Sequence, residues 1–229
     1  MSTRSEFAEC RCIVFDAVGT LIHPDPAVVD VYASICRRYG SQSTPNEIRH
    51  RFQRGMSSRI TSHTTSEETE RKYWKSIVND ALGHVSEPEK CFNEIYEHFA
   101  MPESWRVDGD LSVVLDQLAR REIVVAIASN FDHRLHSVMD GHDALNRLKL
   151  RIISSEIGWR KPAPEFFNHV SDSLSFPAEK ILIIGDNLHN DVLAAKSAGL
   201  KAIWLTDSPT DDPELTTIER LSDLLKWIA

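Results

Sequence analysis

Four short stretches of this 229-residue chain carry side chains suited to polar chemistry, and each follows an apolar run. Asp16 follows Cys12-Ile13-Val14-Phe15 and precedes Ala17-Val18-Gly19-Thr20. Ser129-Asn130 follow residues 123–128, Lys161-Pro162 come shortly after residues 150–153, and Gly185-Asp186 close residues 181–184 with Asp191 further along. A carboxylate at a strand end is a potential nucleophile. A hydroxyl such as that of Ser129 can donate to an anionic oxygen. Lys161, directly before a proline, is biased to extended backbone that can aim its ammonium into a site. Two carboxylates on a turn into a helix suit Mg²⁺, a hard cation that takes oxygen ligands. Each stretch alone also reads as something plainer: a turn aspartate, a helix cap, a surface lysine.

Residues that far apart share a site only if the elements between them bring them to one edge. The four apolar runs are strand-length, and from Asp108 onward helix and strand alternate. The pattern predicts helices over 110–120, 134–139, 164–171 and 190–198, strands over 123–128, 150–153, 181–184 and 202–205, and a terminal helix opened by Pro213. That is the signature of an α/β fold, a Rossmann-like doubly wound parallel sheet, which binds ligands outside the carboxyl ends of its strands. Between the first strand and Asp108 the period is helical throughout. Helices are expected from Ala27 to Tyr39 and over 46–52, 67–82 and 88–99, with Ser66 as an N-cap, Gly83 as a stop, and a mobile loop over 54–66. The expected organisation is an α/β core of residues 1–22 and 104–229, with residues 23–103 inserted as an all-helical cap domain.

Composition narrows the function classes. The formal net charge of -8 argues against a broad nucleic-acid or anionic-membrane surface. No apolar run is long enough to span a bilayer, and the first residues lack an apolar signal core, so an intracellular, cytoplasmic protein is expected. Cys10, Cys12, Cys36 and Cys91 show no zinc-ligand spacing and are expected to be buried thiols. His133 and His136 share a helix face without a third metal ligand, and Trp74, Trp105 and Trp159 read as packing residues, Trp159 with a place beside the Lys161 pocket. A small anionic substrate remains compatible with an acidic chain if the site itself is locally positive.

Asp16 with Gly19-Thr20, Ser129-Asn130, Lys161-Pro162, and Gly185-Asp186 with Asp191 resemble, in order and context, the four motifs of the haloacid dehalogenase-like (HAD) hydrolase superfamily. The resemblance covers essentially the whole chain. The helical insert after the first motif is similar to a subfamily I C1 cap. Ser129-Asn130-Phe131-Asp132 and Gly158-Trp159-Arg160-Lys161-Pro162 look like the branch containing the rhythmically expressed gene 2 protein of flies. The resemblance implies a phosphatase acting on a small phosphorylated metabolite, with Asp16 forming an aspartyl phosphate. It further implies Mg²⁺ held by Asp16, the Val18 backbone carbonyl and Asp186, and Lys161 as a catalytic cation. Asp191 would orient Lys161 or serve the metal, and Thr20, Ser129 and Asn130 would bind and position substrate.

One position departs from that pattern. Phosphatases of the superfamily usually place a second Asp two residues after the nucleophile as general acid and base, and here it is Val18. General acid-base help is worth about 10²–10⁴-fold, so alkyl esters are expected to turn over slowly and acyl or aryl phosphates to suffer least. His23 is a possible surrogate acid. Three other readings stay open. A 2-haloacid dehalogenase would need no metal, but Gly185-Asp186 favours a magnesium enzyme. A phosphonatase would need an early cap lysine, and the first lysine is Lys72, followed by Lys75 and Lys90. A pseudo-enzyme that binds phospho-ligands without turnover is the third.

Overall fold

In a computed structural model that describes residues 7–58, 62–208 and 210–228, six strands form one parallel sheet in the order β5-β4-β1-β6-β7-β8. These are β1 (Cys12–Phe15), β4 (Val124–Ser129), β5 (Leu150–Ile153), β6 (Ile181–Gly185), β7 (Lys201–Leu205) and β8 (Thr217–Ile218). β1 lies at the centre, and its four residues are all buried. Their alternation divides them between the two sides of the sheet. Ile13 and Phe15 join the core cluster that also holds Val31, Ile48 and Phe92, whereas Cys12 and Val14 pack with Phe166, Phe167 and Val170 on the opposite face. Phe15 is in register with Ile127 of β4 and Ile184 of β6, so Asp16 leaves the sheet level with Ala128 and Gly185.

The chain leaves and re-enters through a two-stranded antiparallel ribbon, β2 (Ile22–Pro24) against β3 (Trp105–Val107). Its mouth is tied by Asp25 N–H donating to the Ser104 carbonyl at 2.9 Å and Asp108 N–H donating to the Leu21 carbonyl at 2.8 Å. Helices α1 (Val28–Arg38), α2 (Pro45–Ser58), α3 (Glu67–Leu82) and α4 (Pro88–His98) lie between those strands. The expected Ser66 cap is present as a reciprocal box with Thr69, and Gly83 ends α3 at φ 67°.

Three local expectations differ. The loop expected over 54–66 is helix as far as Ser58; residues 59–61 lie outside the described residues, and 62–65 run beside 158–160. There Thr65 N–H donates to the Gly158 carbonyl and Arg160 N–H to the His63 carbonyl. The terminal helix expected from Pro213 is instead a turn followed by β8 and a 3-10 helix (Leu221–Lys226). β-Branched Thr216, Thr217 and Ile218 suit a strand, and the edge of β7 supplies a partner for them. The helix expected over 190–198 starts earlier, as one π-helical stretch (Leu188–Leu193) running into a short α-helix (Ala194–Ser197). Such turns place side chains off the ordinary helical stagger and recur at functional sites.

The four cysteines are buried and none forms a disulfide. Among the described residues no helix is long and apolar enough to cross a membrane.

Candidate active site

The ends of β1, β4 and β6 and the segment after β5 converge on one buried ammonium. Lys161 Nζ donates to Asp16 Oδ1 at 2.5 Å, to Asp191 Oδ1 at 2.6 Å and to the Ala128 carbonyl at 3.1 Å. Both ion pairs are almost wholly shielded from solvent. Asp186 completes the group, since carboxylate oxygens of Asp16, Asp186 and Asp191 lie within 4.8 Å of one another.

Local structure explains each placement. Asp16 N–H donates to the Ile184 carbonyl at 2.8 Å, so the sheet ladder fixes the backbone that presents its carboxylate. Asn187 caps the π-helix by accepting from His189 N–H and Asn190 N–H, while its own N–H holds Asp191 Oδ2 at 3.0 Å. Gly185 allows the approach, because a Cβ there would sit 2.4 Å from the Asp191 side chain. Asn130 clamps the lysine's backbone, accepting from Lys161 N–H at 2.7 Å and donating to its carbonyl at 2.9 Å.

Gly19 has φ +92°, and a Cβ there would fall 2.3 Å from Asp186 Oδ2. Gly19→Ala is therefore expected to cost about 1–2 kcal/mol of stability from the left-handed backbone alone. It should also displace Asp186. A lowered urea midpoint together with weakened metal binding by calorimetry would bear this out; an unchanged midpoint would contradict it.

The charges do not balance within the protein. Burial raises the Asp16 carboxyl to about 7; Asp191 and Asp186 add to the rise, and Lys161 opposes it. Burial also raises Asp186, with Asp191 adding to it. Burial pulls the Lys161 ammonium down, but Asp16 and Asp191 outweigh it and leave its pKa raised, so the lysine stays charged. Three carboxylates face one cation, and neither Asp16 Oδ2 nor Asp186 Oδ2 accepts a hydrogen bond from a described residue. Unused hard oxygens in an acidic cluster fit a divalent cation such as Mg²⁺, and Asp16 and Asp186 are the residues that would hold it.

These groups open on a cavity of about 690 Å³ that reaches from the strand ends into the inserted helices. Its wall includes Asp16, Val18, Ser129, Asn130, Lys161, Asp186 and Asp191. Ser129 is buried, and its hydroxyl makes no hydrogen bond to a described residue, leaving it available to a ligand. Thr20 is fully buried and off that wall, and its hydroxyl donates to Asp186 Oδ1 at 3.3 Å. Asn130 lines the cavity while its amide holds the Lys161 backbone.

His23 does not join the Asp16 cavity. It pairs across the β2–β3 ribbon with Arg106 and lines a second cavity with Asp108 and Asp207, which meets the site through Gly19 and Asp186. The imidazoles that do line the Asp16 cavity are His63 and His189. Trp159 is off the wall and bridges to Thr64; Trp105 packs in the core and Trp74 against it, as expected, and both also line the cavity. Lys72, Lys75 and Lys90 pair with Glu68, Glu89 and Glu87 on the surface, so none supplies the cavity amine of a phosphonatase.

A model of the haloacid dehalogenase-like hydrolases matches residues 10–199. This chain belongs to that family. Among curated relatives of this HAD-like hydrolase, haloacid dehalogenase-like hydrolase domain-containing protein 3 of Danio rerio is 24% identical over 204 residues, covering 85% of this chain and 84% of its own. A phosphoserine phosphatase of Thermus thermophilus is 30% identical over 139 residues, 60% of this chain and 56% of that one. The magnesium-bound structure of YfnB from Bacillus subtilis superposes with a TM-score of 0.75 at 19% identity, covering 96% of this chain and 98% of that one, which establishes the shared fold.

Proposed function

We propose that this HAD-like hydrolase is a Mg²⁺-dependent phosphatase that transfers a phosphoryl group from a small phosphorylated molecule to Asp16 and then to water. The observation that carries this reading is the buried Lys161 shared by Asp16 and Asp191 at the head of the cavity. A lysine so placed keeps its charge and can neutralise phosphoryl oxygens arriving beside the nucleophile. The Ser129 hydroxyl offers a further donor to those oxygens. Asp191 orients Lys161, and Thr20 orients Asp186. Mg²⁺ held by Asp16, the Val18 carbonyl and Asp186 would supply charge neutralisation of the phosphoryl group. The inserted helices act as the cap that closes the cavity, and residues 23–103 supply its substrate-facing wall.

Asp16 must be ionised both to bind a cation and to attack. Its raised pKa means that a metal binding at neutral pH displaces a proton. Phosphate release from acetyl phosphate is therefore expected to require Mg²⁺, and the apparent Mg²⁺ affinity to weaken as pH falls below about 7. Steady-state assays over a Mg²⁺ and pH grid, with calorimetry in two buffers of different ionisation enthalpy, measure both. No metal-dependent phosphate release from any member of a broad phosphate panel would sink the phosphatase reading. Halide release from 2-haloacids without metal would move the assignment to a dehalogenase.

A further inference from the structure

The cavity of about 690 Å³ is far larger than a phosphoryl group needs, and one of its walls is aromatic without interruption. The rings of Phe52, Tyr32, Phe99, Trp105 and Phe131 run in series from α2 to the loop after β4. Their centroid separations are 5.6 Å for Phe52–Tyr32, 6.2 Å for Tyr32–Phe99, 5.8 Å for Phe99–Trp105 and 5.9 Å for Trp105–Phe131. These are the tilted and edge-to-face contacts that aromatic clusters favour; Tyr32, Phe99 and Trp105 are buried in the core and back the wall, while the half-buried Phe52 and Phe131 at its two ends are the rings open to a further ring. All five residues line the same cavity as Asp16, and Phe131 follows Ser129-Asn130 directly, so the wall ends beside the reacting group.

Val18 lies on that cavity too, where a proton donor for the leaving oxygen is expected, and a valine donates none. An alkoxide resembles hydroxide, the conjugate base of a very weak acid, and it leaves slowly without a proton. A phenoxide resembles the tyrosine side chain, with a pKa of about 10, and leaves far more readily. His63 and His189 reach the same cavity, but position 18 itself supplies no proton, and that feature and the aromatic wall favour the same chemistry.

We infer that the substrates are aryl phosphate monoesters, with a phenol-type leaving group of one or two rings seated along the Phe52–Phe131 wall. The inference rests on the phosphatase reading above and narrows it. In the first step an Asp16 oxygen bonds to phosphorus while the phosphorus–aryl oxygen bond breaks, and the phenolate departs with the bonding pair. Water then attacks phosphorus and restores the Asp16 carboxylate. Its oxygen ends in inorganic phosphate, and the proton released ends on the phenolate.

The test compares acetyl phosphate, cyclohexyl phosphate, phenyl phosphate and 2-naphthyl phosphate on the full chain with Mg²⁺. Phenyl phosphate is expected to exceed cyclohexyl phosphate in kcat/KM by at least about a hundredfold, the lower end of what a missing general acid costs an alkyl ester. 2-Naphthyl phosphate, with a leaving group of similar acidity but a larger ring, is expected to show a KM about tenfold below that of phenyl phosphate. Phe52→Ala, with Phe52→Leu as the milder change, is expected to lower the ratio of 2-naphthyl to acetyl phosphate kcat/KM by about tenfold. Turnover of acetyl phosphate with no gain from the aryl group and no dependence on ring size overturns the aryl assignment and leaves the phosphatase reading standing. Failure on acetyl phosphate as well overturns both. If Phe52→Ala does not fold, the wild-type series and Phe52→Leu decide between these outcomes.

Discussion

Asp16→Asn is expected to eliminate phosphate release, on the order of a millionfold in kcat, the scale seen when a covalent nucleophile is removed. The fold should survive. Asn has nearly the same shape, and its amide oxygen can still accept from Lys161, which keeps Asp191 as its counter-charge. The pH dependence separates lost chemistry from lost structure. The folded-state pKa of Asp16 is raised from 3.8 to about 7, so between those values the metal-free native state holds a proton that the unfolded state has released. Stability from this group therefore falls as pH rises through that window. Asn imitates the protonated form at every pH. Metal-free Asp16→Asn should accordingly gain stability relative to wild type as pH rises from about 4 to about 7, measured by urea unfolding. A variant that loses activity and stability together at neutral pH would show that Asp16 is structural.

Val18→Asp is expected to act in the opposite direction. Val18 is 37% exposed and lines the Asp16 cavity, so a carboxylate there stays solvated and adds no buried charge. Turnover of alkyl phosphates should rise by about 10²–10⁴-fold, the range a positioned acid supplies. Aryl and acyl phosphates, whose leaving groups need little protonation, should change much less, and Val18→Asn should reproduce neither effect. Parallel kcat/KM values on an alkyl and an aryl ester check this. A rate rise equal for both classes, or none for either, would mean that leaving-group protonation is not what Val18 withholds.

Much of the sheet was legible because its strands are buried on both faces, which leaves apolar runs bounded by polar residues. Cys12-Ile13-Val14-Phe15 reads as a strand for the same reason that its side chains divide between two core clusters. The convergence of Asp16, Lys161, Asp186 and Asp191 follows from strand order, since carboxyl ends of neighbouring parallel strands share an edge. What sequence could not convey was which partner each polar group would choose. Thr20 and Asn130 are expected as positioning residues at the substrate site, and the folded chain shows which groups they hold, Asp186 and Lys161. His23 is close to Asp16 in sequence, but the β2–β3 ribbon places it on a neighbouring cavity that meets the site through Asp186. The Pro213 helix lost to strand pairing with β7, a tertiary effect that local pattern does not encode. The aromatic wall was missed because helical spacing marks Tyr32, Phe52 and Phe99 as apolar-face residues without saying that their faces meet. Trp105 and Phe131 join them only through the ribbon and the loop after β4.

The central claim is that Asp16 itself carries the phosphoryl group. Enzyme turning over acetyl phosphate with Mg²⁺ can be quenched in acid within the first turnovers and reduced with borohydride, which converts an aspartyl phosphate to homoserine. Peptide mass spectrometry then reads the residue. Homoserine at position 16, absent when Mg²⁺ is omitted, is the expected result. An unmodified Asp16 in enzyme that releases phosphate at the same rate would contradict the account.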